Sequence, residues 1–271
     1  MKVLEAIKKG FGVAGKNIPL VLVLFVFNLI WNMINVAIMP QGAIPVPGVA
    51  GAAATPPEVP PQTAMMALGV SLLFILISIF MQGGALGYVR DYIKEGKAKL
   101  ASFVSYGLKY YLRLLGLGIL IILLVLVIAL LAALIVAATA PLNNVVVTVI
   151  AAVIAIAIGL VGIYFVLLLV LSPYSLVCED AGIIASMKQS MKTVGKSFWK
   201  VLLLLAVLVL IAIGIGFLIG IATGLLTVAL PVKAGQIVIG VVNSLFNGYL
   251  GIVMMAAFMA YYMAIKDRSA A

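Results

Sequence analysis

Three asparagines, Asn28, Asn32 and Asn35, recur at i, i+4 and i+7 and so share one face of any helix that carries them. Asn243 and Asn247 repeat the interval of four, and Ser71, Ser78 and Gln82 follow intervals of seven and four. Uncharged amides and hydroxyls at such positions suit two tasks. They bond apolar helices to one another, or they line a wet cavity for a neutral solute or a lipid headgroup. Both readings stay open. Acid–base, nucleophilic and metal chemistry have less to work with: the chain has no His, a single Cys and seven Asp or Glu, none inside an apolar run. Hydrolytic triads, zinc sites and carboxylate dyads need partners that are missing here. The expectation is a protein that is not an enzyme and takes no cofactor or metal. Glu179 and Asp180 would point about 100° apart on a helix and are expected to act as acids at a helix N-terminus. Cys178 reads as a small apolar filler, with lipidation as the alternative.

These residues must be positioned by membrane helices. Hydrophobic residues make up 66% of the 271, charged ones 9%, and the mean hydropathy is +1.36, which no soluble domain of this length matches. Six apolar stretches run from about Ile18 to Met39, Ala64 to Tyr88, Leu114 to Ala138, Val145 to Ser172, Val201 to Ala229 and Val238 to Ile265. Each is long enough for a hydrocarbon core of ~30 Å. Unpaired backbone has no water there, which requires helices, and the alternating ten-residue segments of a barrel are absent. The first stretch is too long for a cleavable signal and is expected to be retained. Sixteen of the seventeen Lys and Arg fall in the N-terminal segment, two connectors and the C-terminal tail, with Lys233 the exception. That bias predicts a multi-pass protein of the cytoplasmic (inner) membrane with both termini cytoplasmic.

The basic residues are themselves periodic. Lys2, Lys9 and Lys16 recur every seven residues opposite Leu4, Ile7, Phe11 and Ala14; Lys188, Lys192, Lys196 and Lys200 form a ladder beside Ile184, Met187, Met191 and Val194. A shift of 180 residues lays Gly15 and Lys16 over Gly195 and Lys196. A looser middle copy, about Leu100 to Arg113, sets Leu100, Phe103, Gly107 and Tyr110 against Lys109 and Arg113. The fold expected is an all-α, polytopic bundle of six transmembrane helices with three basic amphipathic interfacial helices. It forms one integral membrane domain, 1–271, of three helix-hairpin units at about 1–88, 89–172 and 173–271. Lys9, Lys16, Lys109, Arg113, Lys188, Lys192, Lys196 and Lys200 are the candidate headgroup contacts, because an interfacial cation attracts anionic lipid by about 1 kcal/mol. Charges so scattered do not make a nucleic-acid surface. The partners expected are anionic membrane lipids, with a second copy or another membrane protein left open.

Ser172-Pro173-Tyr174-Ser175-Leu176-Val177-Cys178-Glu179-Asp180 leads into Ala185, Ser190 and then Phe198-Trp199. This run resembles six-span prokaryotic proteins of unknown function related to the membrane domain attached to some glycerophosphoryl diester phosphodiesterases. In that group a span ends in Pro, an acid follows, and an Ala-x-x-x-x-Ser helix reaches an aromatic pair. The resemblance implies the six-span fold and no hydrolysis, since the phosphodiesterase barrel is lacking.

Gly216, Gly220 and Gly224 form overlapping small-xxx-small steps expected to pack closely on another helix, such as the span with Gly240, Gly248 and Gly251, or on another subunit. Gly83, Gly84 and Gly87 are expected to pack rather than hinge. The Pro-rich outer loop 40–63 is expected to be a linker. Function then divides between a non-enzymatic accessory or lipid-associated protein and an uncoupled transporter or channel for a neutral or lipidic solute.

Overall fold

The computed structural model describes residues 2–38, 60–139, 141, 144–228 and 230–270. The helices are α1 (Val3–Lys16), α2 (Ile18–Ile38), α3 (Pro61–Glu95), α4 (Ser102–Thr139), α5 (Val145–Leu168), α6 (Ser172–Glu179), α7 (Ile183–Lys196), α8 (Phe198–Val228) and α9 (Val232–Ala270). Among the described residues, six helical stretches are long and apolar enough to cross a membrane, α5 and α6 together making one of them. Residues 40–59 of the expected outer loop lie outside the described residues, and α3 already begins at Pro61, where a missing N–H costs nothing.

Local chemistry sets the ends. Asn144 caps α5 by accepting from the N–H groups of Val146 and Val147. Gly96 ends α3 in the left-handed region, at φ 75°, its N–H bonded to the Tyr92 carbonyl. Pro173 breaks the fourth span into α5 and α6: it cannot donate to Leu169, and the Ser172 N–H bonds Leu169 O instead of reaching Leu168. The stranded Leu168 carbonyl accepts from Ser190 Oγ of α7 at 2.7 Å. Ser190→Ala should therefore cost about 1–3 kcal/mol, the penalty for an unpaired buried carbonyl. Denaturation of the purified protein by SDS titration measures it, and Ser190→Thr should retain most of the stability.

The core sits at one end of the molecule. Gly83 to Val89 on α3, Phe103 to Leu117 on α4, Leu171 to Val177 around α6, Val201 to Leu208 on α8 and Ile252 to Tyr262 on α9 supply most of its buried residues, and Ala6 to Ala14 of α1 and Leu20 to Leu24 of α2 add to them. The most apolar windows of α3 and α4 contain no buried residue. At 38 residues α4 is about 57 Å long, well beyond a hydrocarbon core of ~30 Å. Its first three turns belong to the packed end. The expected middle interfacial helix is accordingly not a separate element: no Pro interrupts Ser102 to Thr139, and Gly107 admits the Phe80 ring, which would lie 2.5 Å from a Cβ there.

Three leading segments dock in comparable ways. On α1 the buried face is Ala6, Ile7, Gly10, Val13 and Ala14, set against α9. On α4 it is Phe103, Gly107 and Tyr110 against α3, where Gly84 lies beneath Phe103. On α7 it is Ser186, Ser190 and Val194, facing α5 and α6. Two details of the expected faces are corrected. Leu4 is 74% exposed, as are Ile184 (55%) and Met191 (36%), because the inward stripe is rotated toward the small residues that permit close approach. Gly83, Gly84 and Gly87 pack against α4 as expected.

Within the chain, α9 does not close on the glycine strip of α8. A Cβ at Gly220 or Gly224 would meet nothing within 4 Å, and at Gly216 only the Phe246 ring, at 3.9 Å, whose bulk holds α9 away. Two of the α9 glycines serve α2 instead: a Cβ at Gly248 would lie 2.9 Å from the Phe25 amide nitrogen and one at Gly240 would meet Met33 and Asn32, whereas one at Gly251 would meet nothing within 4 Å.

Candidate functional site

The short helix α6 ends in a ring of charged and phenolic side chains, and this is where the chain's polar chemistry converges. Arg90, near the C-terminal end of α3, donates from Nε and Nη2 to Asp91 Oδ1 at 2.9 and 2.7 Å, and from Nη1 to Tyr110 OH at 2.7 Å and Val177 O at 3.1 Å. Its guanidinium stands 5.0 Å from the Tyr106 ring, whose hydroxyl donates to the other Asp91 oxygen. Lys109 and Arg113, a turn apart on α4, grip Asp180 at 2.9 and 2.6 Å, and Arg113 also donates to the Asp180 carbonyl. From the opposite side Gln189 Nε2 (2.5 Å), Lys266 Nζ (3.0 Å) and the Tyr262 hydroxyl converge on Glu179 Oε1.

Two physical effects explain the arrangement. The last carbonyls of α6 have no intrahelical partner and carry the negative end of its dipole, so Arg90 and Arg113 are favourable caps there. Asp180 takes the left-handed conformation, φ 52°, which ends α6 and turns the chain toward α7. Glu179 and Asp180 therefore sit at a helix C-terminus, not at the N-terminus expected of them; α7 has Gly182 as its N-cap. The hydrogen bond from Lys109, with Arg113 beside it, holds the Asp180 carboxyl below its ordinary value. The clamp contributes where that carboxyl is ionised and fades as pH falls through the lowered value.

A second polar junction fixes α1 and α2. Asn17, buried between them, donates to Val13 O at 2.7 Å and accepts from Tyr88 OH of α3 at 2.9 Å. The sequence pattern does not mark Arg90, Asp91, Tyr106, Tyr262, Lys266, Asn17 or Tyr88, and it gives Tyr110 only as part of an apolar face. The adjacent Arg-Asp pair and the i, i+4 spacing of Tyr106 and Tyr110 were the available signals.

The expected amide seam forms only in part. Asn32 Nδ2 donates to Ser244 Oγ at 2.8 Å, joining α2 to α9. Asn28 and Asn35 donate to the Leu24 and Trp31 carbonyls of their own helix, and Ser78 donates to Ile75 O. Asn243 is half-buried on α9, Asn247 and Gln82 face outward, and Ser71 is partly covered on α3. Between α2 and α3 the meeting is aromatic, with Phe74 stacked on Phe27 and Trp31 at 4.2 Å each. The seam is thus a bond between α2 and α9, worth roughly 0.6 kcal/mol by the usual measure of such pairs.

Lys9, Lys16, Lys188, Lys192, Lys196 and Lys200 are all exposed, whereas Lys109 and Arg113 are engaged by Asp180. Cys178 packs with its sulfur 3.0 Å from Met259 Sδ and partly covered. The ring fastens helices: Asp91, Glu179 and Asp180 each meet cations and donors, and these contacts join α3, α4, α6, α7 and α9.

Neither a curated protein nor a solved structure matches the chain. A family does, over residues 1–265, and nothing in that match connects it to glycerophosphoryl diester phosphodiesterases. The match takes in five of the described spans whole and the sixth as far as residue 265, with every member of the ring around α6 except Lys266, so the chain belongs to the family described as a Domain of unknown function (DUF7847).

Proposed function

We propose that this protein is a non-enzymatic accessory of the cytoplasmic membrane that associates with anionic lipid through the lysines of α1 and α7, both termini lying on the cytoplasmic side. One observation carries the reading. The helices α1 and α7 each have 14 residues, begin 180 positions apart and share a pattern of exposure. Gly10 and Ser190 point inward, Leu4 and Ile184 form an exposed apolar flank, and Lys8, Lys16, Lys188 and Lys196 lie beyond it. Three faces of this kind, protein, apolar and cationic, suit a helix resting at headgroup depth. The docking of the α4 segment on α3 supports reading the fold as three repeated hairpin units. Kinship with the membrane domain resembled by Ser172 to Trp199 belongs to the same proposal. A route for a neutral solute is the weaker reading, since Asn28 and Asn35 are occupied by their own helix and Asn32 by Ser244.

Lipid retention tests this. After reconstitution in equal phosphatidylglycerol and phosphatidylcholine, gentle extraction and native mass spectrometry should find phosphatidylglycerol in excess on the parent. Reversal of Lys188, Lys192 and Lys196 to Glu should remove that excess. Equal retention of the two lipids by the parent would sink the reading.

A further inference from the structure

We propose that the α4–α5 hairpin holds one anionic phospholipid in place, with an acyl chain in the groove between the helices and the headgroup at Lys196 and Lys200. The inference rests on the lipid-association reading above and adds a location and a stoichiometry to it. The groove has a volume of about 480 Å³ and is lined by apolar side chains, from Leu131 and Val153 at one end to Leu124 and Phe165 at the other. Sites for small molecules commonly measure ~300–1,000 Å³.

Its two ends differ. From Phe165 a chain of rings leads out of the groove: Tyr164 at 6.0 Å, then Phe198 at 5.3 Å from Tyr164, then Trp199 at 5.7 Å from Phe198. Trp199 is 78% exposed at the start of α8, the position an indole takes at the boundary between lipid and water. Lys196 and Lys200 flank it and are exposed. Among the described residues the side-chain ion pairs engage Arg90, Lys109, Arg113 and Lys266, which leaves these two lysines to the solvent side. The rings join α5 to the start of α8, so the apolar groove leads by way of an aromatic belt to Trp199 and the two lysines that flank it. A hydrocarbon would use the groove alone and a soluble anion the lysines alone. Only an anionic amphiphile complements both.

The test uses the full chain in phosphatidylcholine bilayers containing a trace of phosphatidylglycerol with a photoreactive diazirine on one acyl chain. Photolysis and peptide mapping should place the adducts on residues 153–165. Ala157→Phe, an exposed position lining the groove, should lower that labelling several-fold while leaving the lysines in place. Neutralising Lys196 and Lys200 to Gln should weaken competition by unlabelled phosphatidylglycerol by about fivefold per lysine. A diazirine phosphatidylcholine should label the groove less. Adducts spread evenly over the spans and indifferent to Ala157→Phe would mean annular lipid and overturn the groove, with the lipid-association reading still standing if native mass spectrometry finds the phosphatidylglycerol excess. Absence of that excess in the parent overturns both.

Discussion

Gly10→Leu is expected to detach α1 from the bundle and to cost about 3 kcal/mol or more, the upper part of the range for side chains forced into a packed interface. The reason is backbone, not rotamer. A Cβ on Gly10 would fall 2.5 Å from the Val253 carbonyl oxygen and 3.2 Å from the Ala257 amide, both within the uninterrupted helix α9. Neither can turn away as a flexible side chain would. Accommodating even the first carbon requires α1 to lift, and Ala6, Ile7, Val13 and Ala14 would leave the core with it. Gly12→Leu is the control, since a Cβ there meets nothing and the residue is exposed. Changes of that kind usually fall within ±0.5 kcal/mol. SDS-titration unfolding of the two variants beside the parent measures the difference. Equal stability of Gly10→Leu and Gly12→Leu would overturn the docking of α1 on α9.

The two substitutions also mark how far sequence reaches. That Lys2, Lys9 and Lys16 face away from the protein is legible from spacing alone, because helical periodicity fixes which residues share a face. Which stripe faces inward is not. Periodicity selects Leu4, Ile7, Phe11 and Ala14, of which Ile7 and Ala14 are buried, but close approach to α9 centres the inward stripe on Gly10 and leaves Leu4 outside. The same competition decides α7, where Ser186 and Ser190 are buried and Ile184 is not. Pro173 was the visible clue: a broken helix strands a carbonyl, and a hydroxyl from a neighbouring segment answers it. The spans were legible because bilayer and backbone leave little choice. Their packing was not, since a Gly-rich strip announces close approach without naming its partner, and within the chain the Phe246 ring stands between α9 and Gly216. The ring around α6 joins residues distant in the chain, Arg90 to Val177 and Glu179 to Tyr262, and nothing in either local pattern announces the other.

Arg90 is the residue that ties the α3 and α4 side of that ring to α6. Four donor contacts from one guanidinium reach Asp91 beside it on α3, Tyr110 on α4 and the Val177 carbonyl on α6. Arg90→Ala would leave Asp91, whose side chain is 20% exposed, with a phenol in place of a cation, and would uncap α6 at its negative end. Breaking a fully buried pair typically costs about 3–5 kcal/mol; partial exposure here lowers the expectation to about 2–3 kcal/mol. Arg90→Lys discriminates between charge and geometry. An ammonium keeps the charge beside Asp91 but cannot present the planar fork that meets Asp91, Tyr110 and Val177 together, so it should restore less than half of the loss. Because the pair is largely sheltered, raising the salt concentration should change the difference little. SDS-titration unfolding of both variants supplies the test, and an Ala variant within 0.5 kcal/mol of the parent, the usual spread for surface changes, would show that α6 is held by its apolar packing alone. The expected order, parent above Lys above Ala, would make the α6 ring the fastening on which the α7 segment and its lysines rest, since Gln189 of α7 reaches Glu179 at the end of the helix that Arg90 caps.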